Sequence, residues 1–279
     1  MNKEQGKLNR RKFLKTTTRI ITSVALTAGG LNLLHQPAAQ ASQISDDLDN
    51  YDFIIPRVKF LVKERVISPW NTTPGAEKNL LTEFSKVVRC KVKLCQNCNN
   101  YKPGYGQDYH FNSVVDLTDF KELKKCPMLF MTSEGHYVLT DEKKRNLKQF
   151  INEGGFLLMD DCVFDMVGDF FYQDSYKLLE ELFGPGSIRK IGRDHEIFHN
   201  IYDLGDIGLP HLWGQNHGAR GVFIGDRLAV FLSSTDIHCA WTDKQGLYQN
   251  KARTRNLGKH GYKEAIQMGI NIIMYVISH

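Results

Sequence analysis

Several features are missing from this 279-residue sequence. It has no internal repeat and no low-complexity tract, which excludes solenoids and repeat arrays. Its most apolar N-terminal stretch, Ile20 to Leu34, is broken by Thr22, Ser23, Thr27 and two glycines. That run stops short of the roughly 20 residues that span a bilayer. A basic excess is missing as well, although the formal net charge is +5. Residues 1–41 carry seven of the 36 Lys/Arg and one of the 31 Asp/Glu, so the remainder balances 29 basic against 30 acidic residues. The pI of 8.8 therefore describes the N-terminus, and gives no support to nucleic-acid or anionic-membrane binding. Cys95-Gln-Asn-Cys98 has metal or redox spacing but lacks a second pair or a nearby histidine. All six cysteines (Cys90, Cys95, Cys98, Cys126, Cys162 and Cys239) follow residue 41. An even number permits disulfides outside the cytoplasm, with free thiols or a metal or redox role as the alternatives.

The N-terminus reads as a leader. Asn9-Arg10-Arg11-Lys12-Phe13-Leu14-Lys15 resembles the twin-arginine export signature, and Ala39-Gln40-Ala41 supplies a small-residue cleavage site. Ser42, not Cys, follows the cut, so no lipid anchor is indicated. The expectation is a signal peptide over 1–41, a flexible lead-in over 42–50 and a single α/β domain over 51–279. The protein is then exported, to the periplasm or otherwise, by the twin-arginine machinery, with no stable membrane anchor after cleavage.

Within that domain the stretch from Gly154 to Cys162 organises the rest. Gly-Gly stops a helix, Phe156 to Met159 run apolar as a buried strand does, and Asp160, Asp161 and Cys162 stand at its end. Pro127 to Met131 has the same strand character, and Asp141 to Glu153 carries Leu147, Phe150 and Ile151 on one helical face. Strand, helix and strand predict a right-handed βαβ unit with parallel strands. Ser133, Glu134 and His136 then leave the sheet at the same edge as Asp160 to Cys162, the edge where open α/β sheets hold ligands.

Other strands are expected at Phe53 to Val62, Cys90 to Leu94 and Ser187 to Ile191, in the sheet order 2-1-3-4-5. Helices are expected from a Thr73 cap with Pro74 to about Val88, over Asp119 to Lys125, after a cap at Asp174 or Ser175, and over Lys263 to Ser278. Gly225-Asp226 marks a hairpin between Gly221–Ile224 and Arg227–Leu232, expected as an antiparallel appendage. The predicted fold class is a flavodoxin-like three-layer α/β sandwich.

Strand-end residues with chemistry include Glu134, His136, Asp160, Asp161, Cys162, Asp194, His195, His199, Asp236, His238 and Asp243. Each also has an ordinary explanation, because Asp and His cap helices and satisfy loop backbone. Adjacent residues leaving a strand point oppositely, so one of Asp160 and Asp161 meets a cleft and the other braces a loop. The expected reactive set is Asp161, His136 and His195. Glu134, Asp160, Asp194, Trp70 and Asn71 are expected to bind ligand, with Cys162 as a buried wall. A nucleophilic Cys162 would instead need a base within about 3 Å. A divalent metal would take ligands from Asp160 or Asp161, Glu134, His136 and the Asp194–His199 segment. His195-Glu-Ile-Phe-His199 matches H-E-x-x-H formally, but has no apolar helix face beyond Ile197 and Phe198.

Trp70-Asn-Thr-Thr-Pro74 with Asn79-Leu-Leu81, Leu139-Thr-Asp-Glu142, Gly154 to Cys162 and Asp194-His-Glu-Ile-Phe-His199 together resemble the bacterial domain-of-unknown-function 4159 family. The resemblance runs from about Phe53 to the C-terminus. It implies a fold related to the class I glutamine amidotransferases, in their ThuA-like branch, and hence a small-molecule or carbohydrate ligand. Asp161-Cys162-Val163 lacks the flanking glycines of an amidotransferase cysteine turn, which argues against glutamine hydrolysis. The resulting expectation is an exported hydrolase acting on a small or sugar-like substrate. A non-catalytic ligand-binding or assembly module is the first alternative, and a metal or redox protein the second.

Overall fold

The computed structural model describes residues 50–62, 70–73, 75–94, 113–163, 168–241 and 262–279. The expected leader, Cys95 and Cys98 lie outside the described residues, as does all of the lead-in except Asn50. The strands are β1 (Arg57–Lys59), β2 (Leu61–Val62), β3 (Val114–Asp116), β4 (Met128–Met131), β5 (Tyr137–Val138), β6 (Phe156–Asp160), β7 (Ile188–Lys190), β8 (Arg220–Ile224) and β9 (Arg227–Ser233). The helices are α1 (Ala76–Val88), α2 (Phe120–Leu123), α3 (Asp141–Asn152), α4 (Phe170–Phe183) and α5 (Tyr262–Ser278), with single 3-10 turns at Glu196–Phe198 and Cys239–Trp241.

Seven strands form one mostly parallel sheet in the order β3-β1-β4-β6-β9-β8-β7. From β3 to β9 every pairing is parallel, whereas β8 and β7 join antiparallel. Strands β2 and β5 pair separately as a short antiparallel ribbon. In chain order the five parallel strands stand 2-1-3-4-5, but two of them are not those expected. The second is Val114–Asp116, while Cys90–Leu94 contributes one isolated bridge, Phe53 to Val92. The fifth is β9, and the Ile188 strand lies at the antiparallel rim. The hairpin is therefore no appendage, because β9 packs directly beside β6. Burial explains the exchange. Leu228 to Ser233 is buried at every position, as an interior parallel strand requires, whereas Arg189 and Lys190 suit an exposed edge.

Alternation along the strands builds two cores. Met128, Phe130, Phe156, Leu158 and Phe231 face α1 and α5, while Leu129, Met131, Leu157, Met159 and Leu232 face α3 and α4. Helix α3 begins where expected, with the Thr140 hydroxyl accepting from Lys143 N, and Gly154 at φ 109° ends the turn before β6. Two expected caps are replaced. Helix α1 starts after Gly75 without a side-chain cap, and Thr73 takes φ 50° instead. Helix α4 starts after Asp169, so Asp174 and Ser175 lie inside it, bonded to the Tyr137 backbone and hydroxyl. Among the described residues no helix is long and apolar enough to cross a membrane.

Candidate functional site

Parallel pairing sets Asp160 opposite Ser233, so β6 and β9 release their following residues side by side. After β6 come Asp161 and Cys162, pinned by Asp161 N donating to Ser233 O at 3.1 Å and Cys162 N donating to Ser133 O at 3.3 Å. After β9 the chain runs through Asp236, whose φ of 57° turns it back, into the 3-10 turn that begins at Cys239. Strand alternation then separates the two adjacent aspartates. Asp160 faces the α1 and α5 side and meets His238, while Asp161 faces α4 and accepts from Tyr172 N at 3.3 Å.

The resulting centre is dense and buried. Asp160 Oδ2 accepts from His238 N at 2.9 Å and lies 2.6 Å from His238 Nδ1. That carboxylate fixes the ring and turns Nε2 toward sulfur: Cys239 Sγ is 3.5 Å from Nε2, and Cys162 Sγ is 3.7 Å from Cys239 Sγ. The sulfurs are far beyond the roughly 2.05 Å of a disulfide. Asp236 hydrogen-bonds Cys239 through its carboxyl group, and its Oδ1 is buried without a hydrogen-bond partner. One ligand atom from each of Cys162, Asp236, His238 and Cys239 falls within a 4.8 Å set, and all four residues are at most 4% exposed.

Electrostatics couples these groups. Burial alone would raise the Cys239 thiol, but the hydrogen bond from Cys162 and the charge of His238 bring it well below its ordinary value. Burial alone would lower His238, yet the Cys239 thiolate and the Asp160 hydrogen bond push it up to about 10. The Cys162 thiol is held well above its ordinary value by its hydrogen bond to Cys239 and by burial, with a smaller contribution from Glu134. Burial and the neighbouring Cys239 and Asp160 raise Asp236, which favours a carboxyl that donates to the thiolate. Asp161 is raised by burial and by Asp160 and Asp169. Cys162, Asp236 and His238 are thus held toward their protonated forms, while Cys239 is held toward the thiolate.

The sequence-expected residues are only partly assembled here. Asp160, expected as support, joins the centre, and Cys162, expected as a wall, supplies one of its sulfurs. Asp161 lies on the opposite face, against α4. Glu134 is near enough to raise Cys162, while His136 is half-buried and bonds Asp174 at 3.1 Å. Trp70 and Asn71 lie in the loop before α1, where Trp70 packs on the α3–α4 side of the sheet and its O accepts from Arg57, and the residues of this loop that reach the sulfurs are Thr72 and Thr73. Asp194 and His195 are not brought to the turn. Asp194 is exposed. His195 packs against Phe223 and Tyr275, and Tyr275 Oη accepts from Leu228 N at the start of β9, the far end from Ser233. His238, Cys239 and Asp236 were legible as residues leaving a hairpin, but their partners depended on where β9 lies.

Comparison with curated proteins finds no match for this chain. A family model, described as domain of unknown function (DUF4159), matches residues 68–277 and so covers β4, β6, β9 and every residue of the centre. On that extent of agreement, the chain belongs to the DUF4159 family.

Proposed function

We propose that this is an exported protein that holds one transition-metal ion of the zinc class on Cys162, Cys239, His238 and Asp236. The carrying observation is the spacing of the ligand atoms. A tetrahedron with metal–sulfur bonds of about 2.3 Å and a metal–nitrogen bond of about 2.0 Å places sulfurs roughly 3.8 Å apart and sulfur and nitrogen roughly 3.5 Å apart. The corresponding distances here are 3.7 Å and 3.5 Å. Asp160 on Nδ1 supplies the carboxylate–histidine support that metal-ligating imidazoles use. Two sulfurs, one imidazole and one carboxylate suit a borderline-soft divalent ion, and four buried protein ligands describe a closed site that stabilises or carries the metal.

Protein purified without chelator should contain close to one equivalent of metal by elemental analysis, or take it up from Zn²⁺. Cys162→Ser and Cys239→Ser should not. A wild-type protein that neither contains nor takes up metal overturns the reading. A second reading, the thiol hydrolase, is favoured by the line Asp160, His238, Cys239, with its thiolate and imidazolium in contact. It requires Cys239 of metal-stripped protein to be alkylated rapidly by iodoacetamide, with loss of an esterase or amidase activity on small substrates.

Export rests on the Arg10-Arg11 leader, and Arg10→Lys with Arg11→Lys should leave precursor in the cytoplasm. The 2-1-3-4-5 order of the parallel strands supports a flavodoxin-like core akin to the class I glutamine amidotransferases.

A further inference from the structure

The loop that begins at Trp70 is held by an unusual device. Among the described residues Arg57 is the one arginine or lysine that is fully buried. Its Nε donates to Glu77 Oε1 at 2.7 Å, and its Nη1 donates to Trp70 O at 3.3 Å and to Thr72 O. The guanidinium lies 4.8 Å from the centre of the Phe130 ring, which in turn meets the His238 ring edge-on at 5.6 Å. A buried ion pair is a weak way to stabilise a fold, since desolvation offsets most of its attraction. This one is aimed at the backbone of a single turn.

That turn is itself strained. Thr73 has φ 50°, a left-handed conformation that a β-branched residue rarely adopts. The strain places two hydroxyls on two different sulfurs. Thr72 Oγ1 is 3.2 Å from Cys162 Sγ, and Thr73 Oγ1 is 3.2 Å from Cys239 Sγ. Both threonines are buried. With the sulfurs ionised, each contact has the hydroxyl as donor. Two anionic sulfurs 3.7 Å apart in a buried site repel each other, and an O–H donor on each lowers that cost.

We propose that Thr72 and Thr73 form a hydroxyl clamp that donates to both metal-binding sulfurs, and that Arg57 with Glu77 is the positioning pair that holds the clamp in place. The proposal rests on the metal reading above, and it gives the Trp70-Asn-Thr-Thr motif a role. By drawing electron density from each sulfur, the clamp sets how strongly the site retains its metal and the energy of sulfur-to-metal charge transfer.

The test uses Co²⁺ as an optical probe and Zn²⁺ competition as the affinity measure, on the full chain. Thr72→Val and Thr73→Val keep the side-chain shape and remove the hydroxyl. Each should weaken metal binding roughly tenfold or more and move the sulfur-to-Co²⁺ band to lower energy, while Thr72→Ser and Thr73→Ser restore both. Arg57→Gln should shift the band in the same direction, because it releases both hydroxyls; should that variant fail to fold, the valine and serine pairs still decide. Valine variants that melt earlier yet keep wild-type affinity and an unmoved band would show a structural turn and overturn the clamp alone. Wild-type protein that binds neither ion would bring down the metal reading and the clamp with it.

Discussion

Asp194–His199 gathers two histidines and two acids within six residues of sequence, whereas Cys162 and Cys239 stand 77 positions apart. The compact segment disperses in the fold. His195 Nδ1 accepts from Ile197 N as a cap, and burial lowers its pKa. His199 turns to Arg193 O and Asp203, with both contacts within 3 Å, and His279 takes Glu196 at 3.0 Å. The scattered set converges to van der Waals contact. Proximity in sequence brought backbone caps and surface pairs, while proximity across parallel strands brought four ligand-type atoms together. A helical H-E-x-x-H would point both histidines one way, but a 3-10 turn of three residues does not.

The sharpest way to break this contrast is to delete one group from each region. Cys239→Ala should weaken metal binding by roughly 10³-fold or more, about 4 kcal/mol of the 10–16 kcal/mol typical of structural zinc. His195→Ala and His199→Ala should leave metal content unchanged. Elemental analysis after gel filtration reads both, and metal lost from the histidine variants would mean that the compact segment takes part after all.

A smaller effect is expected one bond away from the ligands. Asp160→Asn keeps the shape of the side chain but weakens the support on His238 Nδ1, and should reduce affinity by about 10–100-fold. Asp161→Asn, on the opposite face, should leave affinity near wild type in the same competition titration. Equal losses in the two variants would remove the distinction that strand alternation makes between these neighbours.

Smaller still is the contribution of the compact segment to stability. His195→Ala removes a cap and an aromatic contact, and should cost about 1 kcal/mol, or about 2–4 °C in melting temperature for a domain of this size. Thermal unfolding of metal-stripped protein measures this without interference from the ligands. A loss of 4 kcal/mol or more would give His195 a larger part in the core than its half-buried position suggests.

The smallest expected change lies at the sheet rim. Burial acts to raise the pKa of Asp116, but hydrogen bonds from Lys143 and Thr118 bring it below its ordinary value. A depressed carboxylate contributes stability above its unfolded pKa and loses it as pH falls through the folded value. Lys143→Met should therefore cost less than about 1 kcal/mol at neutral pH, and the difference from wild type should vanish in acid. A difference that persisted in acid would point to lost packing instead of charge.

The sequence by itself determined the local elements whose signals are local. The apolar run Phe156 to Met159 with Gly154 before it, the helix from Asp141 with Leu147, Phe150 and Ile151 on its buried face, and the Gly225-Asp226 turn are each written in a few adjacent residues, and each stands as expected. It also determined that Ser133 and Asp160 to Cys162 leave the sheet at one edge, because a right-handed βαβ unit leaves little choice. Only the tertiary structure decided which strand completes that edge. β7 and β9 are both short runs with strand character, and the choice between them depends on burying Leu228 to Ser233 on two faces, a competition among distant segments that no local pattern records. Once β9 lies beside β6, His238 and Cys239 meet Asp160 and Cys162. Asp160 is then selected over Asp161 by which face of β6 the histidine covers, and the Thr72–Thr73 hydroxyls reach the sulfurs because a buried arginine from β1 holds their turn.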